Sequence, residues 1–168
     1  METIYITQTG QGEHFLVGTD VVTIKASGQE TSGQLLVLEV RVPPGGGPPV
    51  LHRHQYAETF YILEGEFEVE TAAAANRLST RRITAGDTLS IPSMVWHNFK
   101  NVGAGPARFV VVHAPAVMES FIREIGRPIS DPLNPPKPAG PPSDEQMQKM
   151  MGIIMKYMEV LPAEELAR

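Results

Sequence analysis

Hydrophobic and polar residues alternate with the period of β-strands over roughly the first two thirds of the chain. The segments with this pattern are short, rich in Val, Ile, Thr and aromatic residues, and mostly separated by Gly, Pro, Asn or Ser, as strands are. The predicted strands are Asp20–Ala26, Gln34–Val42, Glu58–Gly65, Glu66–Thr71 and Ala107–Ala114. Many short strands with no helical pattern between them are typical of an all-β sandwich or barrel.

The periodicity becomes helical after Ala114. Pro115 suits a first helical turn, a stripe of apolar residues follows at helical spacing, and Gly126 is a plausible stop. That stripe consists of Met118, Phe121, Ile122 and Ile125. The next fifteen residues, Pro128–Pro142, include seven prolines, and such a stretch favours extended polyproline geometry. We therefore predict a strap that lies over the surface.

A second helix is predicted to begin at Ser143, which forms a capping box with Gln146. One face of this helix carries Met147, Met150, Met151, Ile154, Met158 and Leu161. The methionine-rich face has two interpretations: it packs on the barrel or on a second subunit, or it forms a pliable lid over an apolar ligand. We accordingly divide the chain into a β-barrel over residues 1–115 and a C-terminal region of helix, strap and helix over residues 116–168.

Composition narrows the possible functions. The 168 residues correspond to one domain, and 42% of them are hydrophobic, as in ordinary globular proteins. The net charge of −5 argues against general nucleic-acid binding, which needs a basic surface. The absence of cysteine excludes disulfides, thiolate metal sites and cysteine nucleophiles. No signal peptide or membrane-spanning stretch is evident, so the expected location is cytoplasmic.

The strongest chemical signal is the pair of histidines at positions 52 and 54. In an extended strand alternate residues face the same side, so both imidazoles would project together, with Glu58 on the same face. Two imidazoles and a carboxylate suit divalent first-row transition ions. A third imidazole, His97, lies in a separate strand-like segment, Ile91–Phe99, and would complete a four-ligand site.

These residues belong to two longer motifs that resemble those of the cupin superfamily. The first is Gly46-x5-His52-x-His54-x3-Glu58-x6-Gly65, and it matches the first cupin motif at every defining position. The second is Gly86-x5-Pro92-x-Met94-x2-His97-x3-Asn101, which departs from the second cupin motif at Met94, where the family has glycine. A methionine at positive φ costs about 1–2 kcal/mol, so we expect a different turn type after Pro92.

The resemblance implies a single jelly-roll barrel that holds one divalent ion through His52, His54, Glu58 and His97. Candidate ions are Fe, Mn, Ni, Co, Cu and Zn, among which a His/carboxylate set does not choose. The motif pair, the strap and the C-terminal helix are similar to those of small single-barrel cupins of the quercetin 2,3-dioxygenase type. In that group, the resemblance implies, the glutamate ligates the metal or accepts a proton from the substrate, which makes Glu58 the candidate catalytic residue.

Strand parity extends the predicted pocket beyond the metal ligands. Phe60 and Ile62 continue the face of Glu58, and Phe99 shares the parity of His97, so these three are predicted to contact the substrate. Tyr56 either lends its hydroxyl to the site or sits at the rim. His14 and His113 are left unassigned, because a hydrogen-bonded core histidine is commoner than a functional one. His113 shares the parity of Phe109 and Val111, which makes it a candidate cavity residue.

Three functions remain open at this point. The first is a dioxygenase that uses dioxygen on an apolar or aromatic compound with an enol or phenol hydroxyl. The second is a non-redox metal-dependent isomerase, lyase or cyclase, and the third is a cupin that binds a small molecule without turnover. A homodimer is expected, because open strand edges need cover and the outward Tyr61 and Leu63 are apolar.

Overall fold

Two antiparallel β-sheets and two helices make up the fold, which is given by a computed structural model that describes residues 4–73, 77–137, 140 and 142–162. In chain order the elements are β1 (Glu13–Val17), β2 (Asp20–Ala26), β3 (Leu36–Val42), β4 (His52–Arg53), β5 (Ala57–Glu64), β6 (Glu66–Ala73), β7 (Arg77–Thr84), β8 (Thr88–Ile91), β9 (Trp96–Asn101), β10 (Ala107–Ala114), α1 (Met118–Ile125), β11 (Arg127–Pro128), α2 (Asp144–Tyr157) and β12 (Glu159–Val160).

The strand order identifies the two layers of a jelly roll. One sheet has the order β11-β1-β2-β3-β10-β5-β8 and the other β12-β4-β9-β6-β7, with antiparallel pairing throughout. Side chains from both sheets join one hydrophobic core. The prediction of an all-β jelly-roll fold with C-terminal helices is confirmed.

The bounds of β2 and β10 agree with the sequence prediction, and those of β3, β5 and β6 lie within two residues of it. The predicted strand-like segment Ile91–Phe99 is instead the end of β8, a turn and the start of β9. Met94 in this turn has a φ of 64°, so the expectation of another turn type was wrong. Its backbone N–H donates to the carbonyl of His54 at 2.8 Å, a contact that offsets part of the strain.

Regular alternation of burial in two central strands forms much of the core. In β3 the residues Leu36, Leu38, Val40 and Val42 are buried, and β10 buries every second residue in the same way. Four phenylalanines from the two sheets meet edge to face in the interior, with ring centroids 5.0 to 5.9 Å apart. They are Phe60, Phe67, Phe99 and Phe109.

The C-terminal helices pack on the barrel through Phe121, Ile122 and Ile154, which belong to the same core. The predicted capping box between Ser143 and Gln146 is present at the start of α2. This helix ends at Tyr157, so the prediction that Met158 and Leu161 continue its apolar face was wrong. The chain becomes extended at Met158 because β12 pairs with β4, and the N–H of Leu161 donates to Leu51.

The proline-rich strap runs from β11, which pairs with β1, to α2, and most of its described residues are exposed. Residues 138, 139 and 141 of the strap lie outside the described part of the chain. None of the helices within the described residues is long and apolar enough to cross a membrane.

Gly65 joins β5 of the seven-stranded sheet to β6 of the five-stranded sheet, and we predict a strong effect of substitution at this position. Its φ is +84°, and a Cβ there would lie 2.5 Å from the Cβ of Ala107. We expect Gly65→Ala to lower the free energy of unfolding by about 3 kcal/mol, because backbone strain and overpacking add. Urea denaturation measures the loss.

Gly18→Ala is the matched control for this substitution. Gly18 also has a positive φ, +60°, but an added Cβ there would meet no atom within 4 Å. Its expected cost is therefore only the backbone term of about 1 kcal/mol. Equal losses for the two variants would contradict the steric argument.

Candidate metal centre

Three histidines meet between neighbouring strands of the five-stranded sheet. His52 of β4 is paired in register with His97 of β9, and His54 follows directly after β4. One ring nitrogen of each imidazole lies within 4.8 Å of the corresponding nitrogen of the others, and all three side chains are buried. The structure thus brings together the histidines that the sequence motifs indicated.

Hydrogen bonds to backbone carbonyls orient the three rings. Nδ1 of His52 lies 3.1 Å from the carbonyl oxygen of Val50, Nδ1 of His54 lies 2.9 Å from that of Tyr56, and Nδ1 of His97 lies 2.8 Å from that of Val95. A carbonyl oxygen only accepts hydrogen bonds, so Nδ1 carries the proton in each ring. An imidazole with its single proton on Nδ1 keeps a lone pair on Nε2, which is the form that binds metal.

Glu58 reaches the same place from the facing sheet. Its Oε1 lies 2.8 Å from Nε2 of His97 and 3.5 Å from Nε2 of His54, and its side chain is 4% exposed. The sequence argument placed Glu58 beside the histidines on one extended strand, and that local geometry was wrong. The strand ends at Arg53, and the chain crosses to β5 in the other sheet before it reaches Glu58.

Burial and contact act on the ionisable groups in opposite directions. Burial alone raises the pKa of the Glu58 carboxyl, but its close contacts with the His54 and His97 side chains outweigh burial and hold this pKa well below its ordinary value. Burial, reinforced by His97, lowers the pKa of His52 to about 4. The site therefore contains a carboxylate and a neutral imidazole at neutral pH.

The donor set fits a divalent transition ion. Nε2 of His54 and Oε1 of Glu58 are buried atoms without a hydrogen-bond partner in the described part of the chain. Each such atom costs about 1–3 kcal/mol when it is left unsatisfied. A cation that accepts their lone pairs would remove this cost, and imidazole nitrogen with carboxylate oxygen suits first-row ions.

His113 was left unassigned from sequence, yet it lies against Glu58. Its Nδ1 is 3.4 Å from Oε2 of Glu58, and burial lowers the pKa of His113 to about 4. Its inward parity on β10 was the available signal, although parity alone does not show what a residue faces. His14, by contrast, lies 2.9 Å from the hydroxyl of Thr23 and away from the site.

A cavity of about 530 Å³ opens beside His54. Its lining includes Tyr56, both helices and the turn after β8, and four methionine side chains contribute to it: Met94, Met118, Met155 and Met158. Tyr56 is 7% exposed, its ring stacks on His54 with centroids 3.8 Å apart, and its hydroxyl donates to Sδ of Met118 at 3.0 Å. The hydroxyl thus points toward α1.

The other predicted pocket residues lie elsewhere. Phe60 and Phe99 belong to the packed aromatic cluster, and Ile62 is 1% exposed in the same core. None of the three lines the cavity beside His54. Arg81 and Arg82 on β7 are exposed, so neither places a positive charge at the site.

Buried neutral imidazoles predict that the metal-free protein loses stability on acidification. His52 and His113 have folded-state pKa values of about 4 against an ordinary 6.5, so the unfolded chain binds more protons as pH falls through this window. Asp20 opposes the trend, because burial raises its pKa to about 6. On acidification the destabilisation from two imidazoles exceeds the stabilisation from one carboxyl. The melting temperature in EDTA should therefore fall as the pH is lowered from 6.5 to 4.

Asp20→Asn provides the control, since it removes the opposing group. Asn retains an oxygen that accepts the hydrogen bond from Thr19. The melting temperature of this variant should depend more steeply on pH than that of the wild type. A melting temperature that is constant or rises on acidification would contradict the assignment of neutral imidazoles.

Comparison with known proteins finds a cupin domain within the chain. Residues 38–113 match the cupin domain. Over 156 residues, or 92% of the chain, the sequence is 29% identical to quercetin 2,3-dioxygenase of Bacillus subtilis. Germin-like protein 1-1 of Oryza sativa is 39% identical over 69 residues. The chain spans less than half the length of these relatives, 44% and 31% respectively.

Solved structures show the same fold at lower sequence identity. The polyketide cyclase RemF of Streptomyces resistomycificus aligns with a TM-score of 0.58 at 17% identity, over 67% of this chain and 80% of that one. KdgF of a Halomonas species aligns with a TM-score of 0.58 at 18% identity, over 70% of this chain and 99% of that one. A cupin domain thus spans residues 38–113, both motifs and the two-sheet topology agree with it, and the chain is similar to quercetin 2,3-dioxygenase over most of its length.

Proposed function

We propose that the chain is a metal-dependent dioxygenase that acts on an apolar or aromatic small molecule bearing an enol or phenol hydroxyl. The observation that carries this proposal is the buried Glu58 carboxylate, with one oxygen turned toward free imidazole nitrogens. The likeness to quercetin 2,3-dioxygenase over 92% of the chain supports the reaction class.

In this proposal His52, His54, His97 and Glu58 hold one divalent ion, which is Fe, Mn, Ni, Co, Cu or Zn. The ion, when bound, would stabilise an oxyanion of the substrate and supply the redox chemistry that dioxygen requires. The backbone carbonyls of Val50, Tyr56 and Val95 keep the imidazoles in the tautomer that binds metal.

Glu58 also serves as the general base. Its lowered pKa keeps the carboxyl ionised at neutral pH, so the carboxylate is able to accept the proton of an enol or phenol hydroxyl. An ionised carboxylate with a low pKa is a weak base in isolation. Proton transfer from the substrate hydroxyl to Glu58 is favourable only where a cation stabilises the oxyanion that forms. The general base therefore has to lie beside the metal ligands.

The cavity beside His54 is the proposed substrate site. Its volume of about 530 Å³ falls in the range of small-molecule pockets, roughly 300–1,000 Å³. Four methionines and two tyrosines favour an apolar or aromatic substrate, and thioether side chains adapt to ligands of different shape. This assignment puts the substrate at the helical side of the site, outside the phenylalanine cluster.

Replacement of Glu58 tests the base directly. Glu58→Gln keeps the size of the side chain but removes the proton acceptor, so we expect oxygen consumption to fall at least about 100-fold. The measurement uses an oxygen electrode, metal-replete protein and a panel of flavonols, β-diketones and catechols. Elemental analysis of the wild type and of a His52→Ala, His54→Ala double variant tests the ligand set, because the variant should lose the metal.

Glu64→Gln is the control, because Glu64 lies on the same strand with a side chain that is 56% exposed. It should retain wild-type oxygen consumption. Metal-replete wild type that consumes no oxygen with any of these compounds would overturn the proposal. Turnover without dioxygen in the zinc form would instead identify a non-redox isomerase, lyase or cyclase, and tight ligand retention without product would identify a binding protein.

We further propose that the protein is a homodimer, in which the outer face of the seven-stranded sheet contacts a second copy. Tyr61 is 50% exposed and Leu63 36% exposed on this face, and the extended N-terminal segment also exposes Ile4 and Ile6. Burial of these side chains would stabilise a dimer by about 25 cal/mol per Å² of apolar area.

Light scattering should give a mass twice that of one chain, and the mass of one chain is 18.4 kDa. Tyr61→Glu, Leu63→Glu should give the monomer mass, because the two carboxylates would be desolvated at the interface. A wild-type mass equal to one chain at micromolar concentration would contradict the dimer.

A further inference from the structure

His113 is a buried imidazole that neither motif contains. It is the last inward-facing residue of β10, 2% exposed, and strand pairing places it directly opposite Glu58 of β5. Directly opposed residues in antiparallel strands have Cβ atoms about 4.5–5.5 Å apart. The register alone therefore holds these two side chains in contact.

The surroundings of His113 leave Glu58 as its polar neighbour. Its opposite partner on β3 is Leu36, which is fully buried, and the Tyr56 ring stands edge-on with centroids 5.6 Å apart. Nδ1 of His113 has no hydrogen-bond partner within the described residues, but lies 3.4 Å from Oε2 of Glu58. The imidazole is thus aimed at a single acceptor.

The two oxygens of the Glu58 carboxylate face different histidines. Oε1 faces the Nε2 atoms of His54 and His97, and Oε2 faces Nδ1 of His113. The terminal torsion of a glutamate side chain is broad and weakly constrained by its own rotamers. An imidazole against Oε2 restricts that torsion and keeps Oε1 turned toward His54 and His97.

We propose that His113 is a positioning residue for Glu58, which holds Oε2 so that Oε1 alone is presented to the bound ion. This inference rests on the metal site of the proposed function. Groups that orient metal ligands in this way typically change metal affinity 10- to 100-fold when they are removed, roughly the scale to expect here. His113 itself contacts neither the ion nor the substrate.

Cobalt binding tests this role without any substrate. His113→Leu removes the donor at similar volume, and we expect Co²⁺ affinity, measured by competition with a chromophoric chelator, to fall about 10- to 100-fold. The visible absorption of bound Co²⁺ should also change, because Oε2 is free to coordinate. His113→Asn, whose amide nitrogen replaces Nδ1, should restore both affinity and spectrum to near wild type.

Two controls separate positioning from packing. Val111→Ala shortens the preceding inward residue of β10, which is equally buried but opposite Phe60, and should leave Co²⁺ affinity unchanged. In a Glu58→Gln background the His113→Leu substitution should have no further effect, since the residue acts through Glu58. Circular dichroism confirms that each variant is folded at the temperature used.

Wild-type affinity and spectrum in His113→Leu, an equal loss in Val111→Ala, or an undiminished effect in the Glu58→Gln background would overturn the proposal. Wild type that takes up no Co²⁺ would overturn both this inference and the metal site. Wild type that binds Co²⁺ normally but whose native-metal form consumes no oxygen would overturn only the dioxygenase, and the role of His113 would stand.

Discussion

Three hydrogen bonds from imidazole nitrogens to backbone carbonyls determine what the interior of this barrel is able to bind. They fix the proton on Nδ1 of His52, His54 and His97 and leave three lone pairs in a small buried volume beside a carboxylate. Lone pairs that face one another without a positive charge between them are unfavourable. A divalent cation bound between them would remove this cost.

Much of the fold was predictable because the strands that form the core alternate strictly. The burial of β3 and the exact bounds of β10 follow from their period of two. The two histidines at 52 and 54 were also predictable, since two polar rings on one inward face have few structural explanations. Neither β1 nor β7 was predicted. The edge strand β7 carries polar residues on both faces, and β1 ends in three consecutive apolar residues, so neither shows the same alternation.

The sequence argument reached Glu58 by continuing one strand, but the structure brings it from the facing sheet. Parity along a chain shows which side a residue faces only while the strand lasts, and this one ends after Arg53. The same limit explains His113, whose importance comes from a cross-strand pairing that only the topology reveals. Phe60 and Phe99 face inward as expected, but parity does not show whether the space they face is already filled by Phe67 and Phe109.

The pairing of β12 with β4 joins the outer wall of the cavity to the backbone that carries His52. Val160 is in register with His52, and Glu159, itself a cavity residue, forms an ion pair with Arg53. Local unfolding of β12 would expose the edge of β4, which carries His52, to solvent. The two strands therefore share one local unfolding equilibrium. Amide hydrogens of β4 and β12 would then exchange together, and occupancy of the metal site would slow both.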